Sequence, residues 1–99
     1  MNKVIFGSKP SGETKKLVFD FASSLAVGET ISSASVVATT YSGTDSSPSS
    51  IISGSDTTSG SQVTQAVTAG TVGVTYLLTC TAITSASQTL QLAGYLVVL

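Results

Sequence analysis

The chain of 99 residues has no histidine, no arginine and no tryptophan, a single cysteine, and only 9% charged residues. Each shortage removes a class of function. Without imidazole there is no Ser-His or Cys-His nucleophile pair and no histidine-ligated metal. The Ser-x-x-Lys spacing of another nucleophile class does not occur either. Four lysines, Lys3, Lys9, Lys15 and Lys16, are the only cations. Lacking arginine forks, they do not make the basic stripe that nucleic-acid binding requires. The lone Cys80 has no intrachain disulfide partner and no cationic neighbourhood to activate it, so it reads as a small core hydrophobe.

Long apolar runs are also missing. Only Val4, Ile5 and Phe6 are strongly apolar before Gly7, whereas a secretory core needs roughly 7–15 apolar residues. No run approaches the ~18 residues of a membrane span. A soluble chain, made in the cytoplasm without processing and touching no membrane, is the expectation. The five acids, Glu13, Asp20, Glu29, Asp45 and Asp56, are scattered and follow no calcium-loop pattern. Asp45 and Asp56 read as turn residues bonding their own backbone, with calcium binding as the alternative. The chain is therefore expected to be no enzyme, with no catalytic residue, no metal, no cofactor and no small-molecule substrate.

What is present in quantity is serine and threonine, together a third of the residues, at a net charge of −1. A surface solubilised by hydroxyls repels neighbours weakly and suits packing among many copies; a polar exposed β-surface is the plainer reading. Residues 1–99 are long enough for one domain with one modest core. Segment 15–21 alternates, with Leu17, Phe19 and Phe21 on one face and Lys16, Val18 and Asp20 on the other, the period of a half-buried strand. Segments 3–6, 30–41, 62–68, 74–84 and 88–99 also read as strands, punctuated by turn residues. Leu25 is placed to plug the core from a short helical turn. Segment 42–61 has a linker's composition, with Ile51-Ile52 suggesting a brief edge strand. Segment 30–41 is apolar on both faces, which suggests a central strand or one covered by a neighbour. Gly94 inside the last strand suggests a bulge. The total is seven or eight strands with little helix, an all-β antiparallel sandwich of immunoglobulin-like or fibronectin-like type.

Two features point at particular roles. Tyr76 follows Gly70-Thr71-Val72-Gly73 near the start of the penultimate strand, where a tyrosine hydroxyl can tie back to a nearby loop. A binding role is the alternative. The end of the chain, Tyr95-Leu96-Val97-Val98-Leu99, is apolar on both faces up to its last residue, although chain ends are usually polar. Such an end needs cover, from its own sheet or from another subunit; the second is preferred.

The pattern Lys9-Pro10, Leu17-Val18-Phe19-Asp20-Phe21 and Leu25-Ala26-Val27-Gly28-Glu29-Thr30-Ile31 resembles the first half of a family of small bacteriophage virion proteins, the phage fibre-tail adaptors. The run Gly70 through Tyr76, Thr79-Cys80-Thr81 and Gln88-Thr89-Leu90 resembles that family's closing hairpin. Residues 42–61 lie outside the resemblance, and Phe21 stands where a tryptophan is frequent. The resemblance implies an immunoglobulin-like, multi-copy component of the virion that joins fibres or appendages to the tail or neck. Its partners would be other virion proteins and copies of itself. Val4, Ile5, Phe6, Tyr95, Leu96, Val97, Val98 and Leu99 are the expected docking residues. Deleting residues 96–99 is expected to leave a folded domain that no longer enters particles. A capsid decoration protein and a glycan-binding module are the alternatives.

Overall fold

The computed structural model describes residues 3–99, and side chains from Phe6 onward. Among the described residues there are seven strands: β1 Lys3–Lys9, β2 Lys15–Asp20, β3 Ile31–Ser42, β4 Ile52–Ser59, β5 Gln62–Val67, β6 Thr75–Thr84 and β7 Thr89–Val98. They form two sheets, one ordered β1-β7-β6-β3 and the other β2-β5-β4. The fold is an all-β sandwich. Its pairings are antiparallel except for the parallel pair β1–β7.

The alternation of apolar residues sets the layers. Leu17, Phe19 and Phe21 are buried, as are Tyr76, Leu78, Cys80 and Ala82 of β6 and Leu96 and Val98 of β7. The β2 row faces the β6 and β7 rows across the interior, with Val63 and Val67 of β5 beside it in the same sheet. Burial pushes the Cys80 thiol up to about 12, with the charge of Asp56 as a second cause. The thiol is thus held in its neutral form. Residues 22–24 make a 3-10 turn, and Leu25 beyond it packs half-buried against the core. Serine-rich segment 42–61 is more structured than its composition suggests. A 3-10 turn, Pro48–Ile51, buries Ile51, and β4 follows at the edge of the smaller sheet.

Two expectations are revised. β3 is an edge strand rather than a central one. Its inner parity holds Ala34, Val36 and Ala38 against the core, while Val37 and Tyr41 on the outer parity are 56% and 61% exposed. Register breaks near Ile31 and Tyr41 shift which face its ends present. The glycine at 94 marks no bulge: β6 and β7 pair without interruption from Thr75 to Ile83. Gly94 instead admits an aromatic ring, since a Cβ there would lie 2.3 Å from Cε2 of Phe6. The register break lies in β1, between Ile5 and Ser8.

Tyr76 is fully buried, and its hydroxyl accepts the Thr71 N–H at 2.8 Å, five residues upstream. It donates to Oδ2 of Asp45. That carboxylate also accepts the Ser47 N–H at 2.8 Å, so one phenol joins the turn before β6 to the loop after β3. The Tyr76 hydroxyl, followed by the Ser47 N–H, holds Asp45 below the usual carboxylate range. Thr84 and then the Ala26 N–H do the same for Glu29. For Asp20 the causes are the Ala22 N–H and then Gln62. All three groups have folded values below their unfolded ones. Their stabilisation is therefore present above the ordinary carboxylate range near pH 4 and is lost as pH falls through the folded values. Thermal melts between pH 7 and pH 2 should show a midpoint that is flat at first and declines below about pH 4. An Asp45→Asn/Glu29→Gln variant should show a shallower decline.

Candidate docking face

β7 lies between β1 and β6, so its two faces have different fates. Leu96 and Val98 point into the sandwich and are fully buried. The cover that the apolar chain end needs thus comes, on that face, from its own domain. Neither residue is available to a partner while the domain is folded, and removal of residues 96–99 takes out two core side chains, which makes it a test of folding rather than of docking. Tyr95 and Val97 lie on the opposite face and are half-buried, and Leu99 is 61% exposed. Phe6 faces inward, half-buried, with its ring edge-on to Phe19 at 5.1 Å. The side chains of Val4 and Ile5 lie outside the described ones; their backbones pair with Gly94 and Tyr95.

Tyr95 has a neighbour that the sequence did not point to. Its ring meets that of Tyr41, from the far edge of the same sheet, at 4.6 Å and 63°. Leu77 of β6 sits opposite both Thr39 and Tyr95 in the register, between the two tyrosine-bearing strands. Beyond it the outer face continues through Val37 and through Ile83, which is 46% exposed. A shallow hollow lined by Ser33, Ala34, Ser35, Thr81 and Ile83 lies on the β3–β6 half.

The chemistry of this face is set by what its strands omit. β3, β6 and β7 contain no lysine, aspartate or glutamate. The smaller sheet differs, with Lys15, Lys16 and Asp20 on β2 and Asp56 on β4. Exposed apolar side chains grouped on these three uncharged strands lose little on desolvation and gain by cover. An aromatic pair at one end supplies the kind of anchor that dominates protein interfaces. Among the described residues no group of three or more cysteine, aspartate or glutamate side chains is placed to hold a metal ion.

The sequence profile described as Podophage GP4 fiber-tail adaptor protein gp77 matches residues 9–96. No curated protein matches the chain at a significant level. The matched segment takes in all of β2 to β6 and most of β7, and begins at Lys9.

Proposed function

We propose a docking role for this chain, which belongs to the podophage GP4 fiber-tail adaptor family: it joins fibre to tail through the outer face of its four-stranded sheet. The observation that carries this reading is the absence of charge on β3, β6 and β7 together with exposed Tyr41 and Val37 and half-buried Tyr95, Leu77 and Val97. The role is assembly rather than catalysis, and the fold is used as an immunoglobulin-like scaffold. Three features support that scaffold: the strand order, the parallel β1–β7 pair, and the Tyr76 hydroxyl bonded back to the Thr71 amide. Several copies in the tail would multiply individually weak contacts.

The test is incorporation into particles. Tyr41→Lys and Val97→Lys place a charge on the docking face, and Val18→Lys places one on the exposed side of β2, where Val18 is 44% exposed. The first two should lower the copy number in purified particles about tenfold, the loss expected when an interface anchor is removed. Val18→Lys should incorporate normally. The reverse pattern would move the interface to the smaller sheet. Density on an icosahedral shell lattice, in place of the tail, would replace the adaptor reading with decoration.

A further inference from the structure

A two-sheet sandwich exposes four strand edges, and three of those here carry features that discourage pairing. β1 is seven residues long, has Lys3 and Lys9 at its ends, breaks register at its centre and runs into Pro10. β2 has Lys15, Lys16 and Asp20. β4 breaks register between Ser53 and Thr57, with Gly54 at φ 71° and Asp56 inside the break. β3 breaks register only near its two ends, at Ile31 and Tyr41. It is twelve residues long and contains no charge, no proline and no glycine. Its register against β6 is unbroken from Ser33 to Thr40. Among the described residues its side facing away from β6 takes one inter-element backbone bond, from the Ile31 N–H to the Gly60 carbonyl at 3.0 Å.

We infer that β3 pairs antiparallel with β3 of a second copy of this chain, joining two four-stranded sheets into one of eight strands. An open row of amides and carbonyls is complementary to another extended backbone, and that fixes the kind of occupant. Charge fixes its identity. In a twofold antiparallel pair each residue meets one from the same strand, so any charged side chain near the centre faces its own kind. The run Ser33-Ala34-Ser35-Val36-Val37-Ala38-Thr39 has nothing to repel and is rich in small and β-branched residues. It also offers no charge or large anchor by which a different protein would be selected. A twofold near Val36 brings Val37 of one copy opposite Ser35 of the other. The outer faces of both copies then lie on one side of the joined sheet, with two Tyr41–Tyr95 pairs. This pairing stands independently of fibre docking.

Sedimentation velocity of the purified chain over a concentration series tests it. The wild type should show a reversible monomer–dimer equilibrium. Ser35→Lys/Val37→Lys sets like charges opposite one another and should weaken the dimer at least about tenfold. Ser35→Thr/Val37→Thr should preserve it. Hydrogen exchange of the wild type supplies a readout that needs no variant: amides of residues 32–39 should slow as concentration rises. A chain that stays monomeric at every concentration overturns the inference. So does a dimer that the lysine pair leaves intact, or one whose formation leaves exchange in 32–39 unchanged. A dimer broken by Tyr41→Lys and not by the lysine pair would place self-association on the sheet face instead.

Discussion

Replacing Lys9 by methionine is expected to destabilise the domain by roughly 3 kcal/mol and to lower its melting midpoint by roughly 12–20 °C. Lysine is rarely fully buried, yet Lys9 is 0% exposed. Its ammonium donates to three backbone carbonyls, those of Ala69 at 2.6 Å, Pro10 at 2.8 Å and Ser11 at 3.1 Å. It therefore ties the turn after β1 to the turn before β6. Ala69 has φ 54°, a left-handed conformation that residues with a Cβ adopt at a cost, and the Lys9 contact to its carbonyl helps hold it there. The Lys9 carbonyl in turn accepts the Leu99 N–H at 2.9 Å. Methionine preserves the length and apolar body of the side chain but leaves three carbonyls without their donor, which is why the loss exceeds that of a typical single hydrogen bond. The control is Lys16→Met at an exposed position of β2, which should stay within about 0.5 kcal/mol of wild type. Urea melts of the two variants decide the matter. Equal midpoints would mean that the carbonyls find water once the ammonium is gone.

Lys9 also shows where sequence reading stops. A lysine beside Pro-Ser-Gly reads as a solvated turn residue, and its partner Ala69 is supplied only by the fold. Gln65 is a similar case. It occupies the inward row of β5 between Val63 and Val67, is 1% exposed, and donates to the Ser53, Gly54 and Ala66 carbonyls. Period two places it inside, but its polarity argues against that until the bulged β4 is seen to offer acceptors. The strands β2 and β6 were legible because each has one wholly interior face, so alternation reports burial directly. Segment 30–41 reads equally as a central strand or as one covered by a neighbour, because apolar residues on both faces look the same whether a second sheet or a partner provides the cover; the structure places β3 at an edge. The apolar chain end was legible as an anomaly. Its division into interior Leu96 and Val98 and outer Tyr95 and Val97 follows from alternation once β7 is placed in its sheet. Nothing in the sequence signals that Tyr41 neighbours Tyr95, since three strands and their loops separate them.

The same limit applies to Gly94, where a single methyl group should cost about 2 kcal/mol, the usual penalty for forcing atoms into a packed interior. The new Cβ of Gly94→Ala would lie 2.3, 2.8 and 2.9 Å from three atoms of the Phe6 ring. Backbone conformation is no obstacle, because Gly94 is absent from the positive-φ residues, and an alanine in a strand is otherwise better than glycine. The entire penalty therefore comes from Phe6. That ring has little freedom to retreat, since it sits edge-on to Phe19, which is 1% exposed. The strand it anchors is β1, whose register against β7 is already broken between Ile5 and Ser8. Displacing the ring should loosen β1 before the rest of the sandwich, so exchange protection should fall in residues 3–8 ahead of β6. A double-mutant cycle isolates the cause. In a Phe6→Ala background, Gly94→Ala should be neutral or slightly stabilising, because the space the methyl needs is then empty. If Gly94→Ala costs the same about 2 kcal/mol with and without the ring, close approach of Phe6 is not what this glycine is for.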